Sequence, residues 1–308
     1  MPSLRSTRQS MLWLGVTVVL VTAVGVVGRE VLRAKTNRAL VAAYLIPIDN
    51  HTRVKPTWWY SVDLALPRAL RSGEQLTLPA GASVMLVHAD SGVAEPVTGP
   101  TTLSLLQKPP SEPDALVSPL SEIVSVVNTK ERNDRTVIIT SPVGITRYLN
   151  PLITWTAREG MTYDVAVTDS ADEVVPPRVA RGVRPPIALA DLQTPQRRQL
   201  GIDRNYTIII REANAPTIAA GAFFLTTTDA KLENPVPTTP ADLIAEAAAA
   251  MAKMPTRTGD AWLALSRLPT AWAGSELGVR LRIRVAAGLG LTDDLNRALA
   301  EARALKSP

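Results

Sequence analysis

Cysteine is absent from the 308-residue chain, and histidine occurs only at His51 and His88. The first absence excludes disulfides, thiolate metal sites and a cysteine nucleophile. The second leaves zinc without a ligand set, because two isolated histidines lack the H-x-H or H-x-x-x-H spacing that would place them together. No G-x-S-x-G accompanies either histidine, so a hydrolase triad has no support. Gly288-Leu-Gly290 lacks both the third glycine and the preceding strand of a phosphate cradle, and it reads as a turn between helices. No cofactor is implied.

Net charge is also missing from most of the chain. The formal total is +5, but residues 1–38 hold six basic residues and one acidic one, and the rest carries 27 of each sign. A charge-balanced body lacks the basic field that a phosphate backbone demands, which excludes nucleic acid as a partner.

The excess charge flanks the longest uncharged run, residues 9–28, QSMLWLGVTVVLVTAVGVVG. Twenty residues at helical rise cover about 30 Å, the hydrocarbon thickness of a bilayer. The run predicts a transmembrane helix over 9–28, with Leu12, Trp13, Leu14, Leu20 and Val27 facing lipid, after a short cytoplasmic segment 1–8. A cleaved signal peptide is the competing reading, with Arg5 and Arg8 as its basic region and Ala23-Val24-Gly25 as its processing site. The anchor reading puts the chain in a bacterial inner membrane, in contact with membrane lipid, with its main body in the periplasm. Val31, Leu32, Ala39, Leu40, Ala43 and Tyr44 predict a juxtamembrane helix within 29–47, ended by Pro47.

Beyond it the pattern changes to short strands and turns. Leu76 and Leu78 alternate with polar neighbours, Pro79-Ala80-Gly81 marks a turn, and Ser83–His88 forms a second strand. Asp90-Ser91-Gly92 turns again, and Val97, Leu103 and Leu105 continue the alternation. The series L-x-L-P-A-G-A-S-V-M-L-V, a D-S-G turn, then V-T-G-P-T-T-L-S-L resembles the FecR-like domain of bacterial envelope proteins. That resemblance implies a small wound β domain, here over 48–107, outside the inner membrane.

A proline-containing linker covers 108–135. A second β unit spans 136–230, with predicted strands at 136–140, 152–156, 163–168, 187–190, 206–211 and 223–227. The pieces P-L-I-T-W, Y-D-V-A-V-T-D, Y-T-I-I-I and G-A-F-F-L-T resemble an immunoglobulin or fibronectin-type sandwich, with Trp155 in its core. From 239 to 308 the period becomes helical. Thr239, Ser275 and Thr292 are predicted caps, and the last two helices resemble one tetratricopeptide-like hairpin. The expected fold class is therefore mainly β, with an N-terminal transmembrane helix and a C-terminal α-helical tail.

Candidate binding residues fall in two places. Trp58, Trp59 and Tyr60 either pack in a core or stack on sugar rings, which would suit peptidoglycan. Arg178, Arg181 and Arg184, with Arg197, Arg198 and Arg204, form either a solvated loop or a docking surface for an anionic partner. Asp90, Asp164, Asp169, Asp172 and Glu173 are the acidic candidates, and Asp169-Ser170-Ala171-Asp172 reads first as a turn. The function expected is an extracytoplasmic scaffold or adaptor without catalysis that binds other envelope proteins. A carbohydrate-binding module and an accessory subunit of a membrane complex are the alternatives.

Overall fold

The computed structural model describes residues 40–48, 52–57, 60–109, 114, 116–119, 123, 137–170, 177–192, 200–213, 215, 218–231, 239–252 and 256–305. Eight strands make the first β unit: β1 (Val41–Pro47), β2 (Arg53–Thr57), β3 (Tyr60–Asp63), β4 (Arg68–Arg71), β5 (Gln75–Leu78), β6 (Ser83–His88), β7 (Ala94–Thr98) and β8 (Thr101–Ser104). They form two four-stranded sheets, ordered β4-β1-β6-β7 and β3-β2-β5-β8. The alternation that marks β5 and β6 in the sequence sends Leu76, Leu78, Val84 and Leu86 into the core between these sheets, where they meet Ala43, Leu45, Val54 and Leu70.

The opposite face of the first sheet is buried as well. Tyr44 and Ile46 of β1, Ala69 of β4 and Val87 of β6 belong to a core formed largely by five helices. These are α1 (Pro240–Ala252), α2 (Thr258–Leu265), α3 (Thr270–Ala273), α4 (Glu276–Leu289) and α5 (Thr292–Ala304). Ser275 caps α4 by accepting from the Gly278 N–H at 3.2 Å, and Gly290 ends it in the left-handed region at φ 70°. Thr239 accepts from Asp242 N at 3.2 Å ahead of α1. Thr292, an expected cap, is instead the first residue of α5, and Leu291 ahead of it offers no side-chain acceptor.

The second β unit packs on the other side of the helices. It comprises β9 (Ile139–Ser141), β10 (Gly144–Tyr148), β11 (Leu152–Trp155), β12 (Tyr163–Asp169), β13 (Arg178–Val183), β14 (Ile187–Ala188), β15 (Asn205–Glu212) and β16 (Ile218–Lys231). Sheet order is β10-β16-β15-β12-β13 facing β14-β11-β9. The chain changes sheets between β9, antiparallel to β11, and β10, parallel to β16. Trp155 fills the core edge-on to Tyr163, with ring centroids 5.7 Å apart. The Tyr206 hydroxyl accepts a 2.6 Å hydrogen bond from Gly201 N.

Two glycines record how closely the helices approach both units. A Cβ on Gly92, in the turn after β6, would lie 2.1 Å from the Ala252 Cβ at the end of α1. One on Gly259, at the start of α2, would lie 2.9 Å from Val143 N between β9 and β10. Neither position has room for a side chain.

The predicted span 9–28, with Leu12, Trp13, Leu14, Leu20 and Val27, lies outside the described residues. No helix among the described residues is long and apolar enough to cross a membrane. The fold class with a transmembrane helix, and with it the single-pass inner-membrane placement, gives way to a mainly β fold with five helices among the described residues. Residues 41–47 of the expected juxtamembrane helix are strand β1, because V-A-A-Y-L-I-P is apolar on both sides and fits a strand covered on both faces. The first β unit thus begins before residue 48. The linker 108–135 is not free of the core either, since Leu116, Val117 and Ile123 are buried against the helices. The helical segment is no tail: it is a layer between two β units.

Because β1 serves two cores, Leu45→Ala is expected to lower unfolding free energy by about 2–5 kcal/mol. Leu305→Ala, at an exposed helix end, should stay within about 0.5 kcal/mol. Urea denaturation of both variants measures the difference, and equal losses would contradict the burial of Leu45 between the two sheets.

Candidate functional site

Among the described residues, buried ionisable side chains cluster at two seams, one on each side of the helical layer, while Arg178 of β13 is buried within the second β unit. At the first, α4 meets β4 and the segment 114–118. Glu276 and Arg280 lie one turn apart and therefore on one face, with the carboxylate in the favourable first turn. Arg280 is fully buried. It donates from Nε and Nη2 to Glu276 Oε1 at 3.0 and 2.8 Å, and from Nη1 to the Ser118 carbonyl at 2.7 Å. Arg71 of β4 reaches both Glu276 oxygens from Nη2 at 2.8 Å.

The same helix face holds the connecting segment. Arg284 Nη1 donates to Asp114 Oδ2 at 3.1 Å, and Asp114 Oδ1 accepts from Leu116 N at 2.7 Å. The Tyr44 hydroxyl donates to the Leu116 carbonyl at 2.5 Å, and Val41 N donates to the Val117 carbonyl at 2.9 Å. Burial raises the Tyr44 hydroxyl far above its ordinary range, partly opposed by Arg280. Burial alone would also push the Glu276 carboxyl up, but the guanidinium groups of Arg280 and Arg71 outweigh it and hold Glu276 below its ordinary value.

At the second seam, α1 and α2 meet β10. Asp260 is 2 % exposed. It accepts from the Thr146 hydroxyl at 2.8 Å, from Arg147 N at 3.2 Å and from Arg257 Nη1 at 3.3 Å. Beside it, Glu246 of α1 accepts from the Tyr148 hydroxyl and pairs with Arg147 Nη2 at 2.5 Å. Burial pushes Asp260 up to about 6. The bonds from Thr146 and Arg147 and the charge of Arg257 oppose that rise, while Glu246 adds to it. Burial and the Glu246 carboxylate raise the Tyr148 hydroxyl.

Two adjacent carboxylates with one raised pKa are the raw material of acid–base chemistry. Here, however, the side chains of Glu246 and Asp260 are 9 % and 1 % exposed and already bonded to their neighbours. A general base must reach a substrate proton, and these groups are turned into a packed joint. Among the described residues no group of three His, Asp or Glu side chains is placed to hold a metal ion.

No family model, curated protein or solved structure matches the chain.

The candidates from the sequence that fall among the described residues lie elsewhere. Trp58 and Trp59 lie outside the described residues, and Tyr60 opens β3 opposite Thr57. Arg178 is buried at 8 %, while Arg181 and Arg184 are exposed. Arg204 pairs with Asp169 at 2.8 Å, and Arg197 and Arg198 lie outside the described residues. Asp164 accepts from Gly182 N at 2.9 Å, and Asp172 and Glu173 are not among the described residues. His88 approaches Glu95 at 3.2 Å, and His51 is outside the described set. The seam residues Arg71, Glu246, Asp260, Glu276 and Arg280 were missed. The available signal was Arg280 inside the apolar run L-G-V-R-L-R-I-R-V, four residues after Glu276, where a buried charge requires a partner.

The raised Asp260 pKa fixes a sign. Folded protein holds that proton more tightly than unfolded chain, so the group's contribution is complete below about pH 4 and declines as pH rises through about 6. The loss is on the order of 3 kcal/mol. Asp260→Asn removes the titration but keeps Glu276, so the stability difference between variant and wild type should shift in the variant's favour from pH 4 to 7. Denaturation midpoints across that range check it, and a flat difference would refute the assignment.

Proposed function

We propose that the chain is a scaffold or adaptor without catalysis, which holds two β sandwiches in a fixed relation and binds other proteins with them. The observation that carries this reading is the placement of its buried ionisable groups. Arg71, Glu276 and Arg280 join the first β unit to α4, and Thr146, Asp260 and Glu246 join the second to α1 and α2. Breaking a buried pair by removing one partner costs about 3–5 kcal/mol, so such joints resist hinge motion. An enzyme would direct some of these groups toward a cleft; this chain directs them toward its own internal seams.

The architecture supports the module assignments behind this reading. In the second unit, Tyr206 is the second residue of β15 and its hydroxyl ties back to Gly201 N five residues upstream. Such a tyrosine corner is a hallmark of immunoglobulin-like sandwiches. The sheet switch between β9 and β10 fits the same architecture. For the first unit, the turns that carry the FecR-like resemblance fall between β5 and β6 and between β6 and β7. Modules of this kind bind through strand edges and loops.

The test uses the absence of cysteine. Ala94→Cys and Arg181→Cys, both exposed, place one spin label on each β unit, and labelled chain is diluted with unlabelled chain. A single narrow interspin distance is expected, broadened when Arg280→Met breaks the first seam. A broad distribution in the parent protein would remove the scaffold reading. Metal-independent turnover of cell-wall or glycan substrates would remove the non-catalytic one.

A further inference from the structure

A strand at the border of a sheet leaves one row of backbone N–H and C=O groups unpaired, and proteins commonly block that row with charge, proline, a bulge or a covering element. Most borders in this chain are blocked. In β4, Arg68 and Arg71 are engaged by Glu74 and Glu276, and α4 packs alongside. In β7, Glu95 and Pro96 interrupt the edge. The β13 edge carries exposed Arg181, shifts register against β12, and runs into Pro185-Pro186. Helix α2 covers β9 and β10. In β3, Asp63 is tied to Arg53 at 3.0 Å, and β14 is two residues long.

Among the described strands, β8 is the exception. From Thr101 to Leu106 the sequence is T-T-L-S-L-L, without charge or proline. Its inner side pairs with β5 in register Gln75–Ser104 to Leu78–Thr101, and among the described residues no strand lies on its outer side. Leu103 and Leu105 pack against the core, whereas Thr102 and Ser104 are exposed. Leu106, which continues the strand direction, is 87 % exposed, the most of any large apolar side chain described.

We propose that β8 pairs antiparallel with β8 of a second copy of this chain, joining two four-stranded sheets across a twofold axis. A twofold axis requires the same strand on both sides, so the strand must tolerate its own sequence opposite itself. An uncharged T-T-L-S-L-L strand satisfies this. It brings no like charges together, and threonine and serine opposite one another form favourable cross-strand pairs, as Thr77 and Thr102 do at 3.1 Å within the sheet. The pairing also covers Leu106. A charged β8 would instead have pointed to a partner of opposite sign. The proposal stands apart from the scaffold reading, although a dimer would double the modules displayed.

Sedimentation velocity on the full chain over a concentration series tests it, beside Ser104→Lys, Leu106→Glu and the β7 control Thr98→Lys. The parent and the control should dimerise. Ser104→Lys and Leu106→Glu should each weaken association by about tenfold or more, with unchanged circular dichroism and melting temperature. Mixing Ser104→Lys with Ser104→Glu should restore a heterodimer, which an unfolded variant could not form. A parent protein that stays monomeric, or a dimer that ignores both β8 variants or is lost with Thr98→Lys, would overturn the proposal.

Discussion

Strand β1 has no side facing water, and the rest of the molecule is arranged around that fact. All seven residues from Val41 to Pro47 are buried. Ala43 and Leu45 enter the core between the two sheets of the first β unit, and Tyr44 and Ile46 enter the core of the helices. A strand with polar groups on one face could sit at the surface of a sandwich. One with apolar groups on both faces requires a third layer, and the helical segment some 200 residues later supplies it. The helices are then committed to a site in the fold. Their second surface meets β9 and β10, so the layer that completes one β unit also fixes the position of the other.

Local signals in the sequence were reliable where a segment has one wet and one dry face. Alternation and turn residues place β5, β6 and β8 close to where they form, and the period-2 pattern of Tyr163, Val165 and Val167 does the same for β12. Trp155 lies in the core of the second unit, as expected. Alternation fails when both faces are dry. Val41–Pro47 presents no polar phase to distinguish a strand from a helix, and next to an uncharged run it reads as helical. Strand β13 was missed for the opposite reason, since R-V-A-R-G-V carries too many arginines to look like a strand. It is placed by its antiparallel pairing with β12, and it carries Arg178 into a buried position. The seams were illegible because their partners are remote: Arg71 and Glu276 are 205 positions apart, and Thr146 and Asp260 are 114 apart. A sequence shows that a buried arginine needs a partner, but tertiary structure selects which carboxylate supplies it.

The choice of charge for these joints has a physical consequence. Apolar replacement of a buried ion pair is often as stable or more stable, so charge is not the strongest available adhesive. It is the more particular one. Arg280 donates to a carboxylate on its own helix and to the Ser118 carbonyl, while Arg71 comes to the same carboxylate from β4. Sliding α4 along the sheet by one turn would carry the Arg280–Glu276 pair with it, but would strip Arg280 of the Ser118 carbonyl and Arg71 of its carboxylate. An apolar surface could repack after such a slip at much smaller loss. The polar seams therefore oppose alternative docking of the helices more strongly than they add to total stability.

The two seams also respond to acid in opposite directions. Glu276 is held below its ordinary pKa by Arg280 and Arg71 despite burial, so its contribution is present above the ordinary glutamate range and is lost as pH falls through the folded value. Asp260 is raised to about 6 by burial, so its contribution is greatest when protonated and is lost as pH rises. Three donors around Asp260 limit that rise without cancelling it. The first seam needs its carboxylate charged; the second is more stable with its carboxyl neutral. Both conditions hold together only in mildly acidic solution, above the depressed Glu276 value and below about 6. Acid beyond that interval loosens the joint to the first β unit, and neutral pH places strain on the joint to the second.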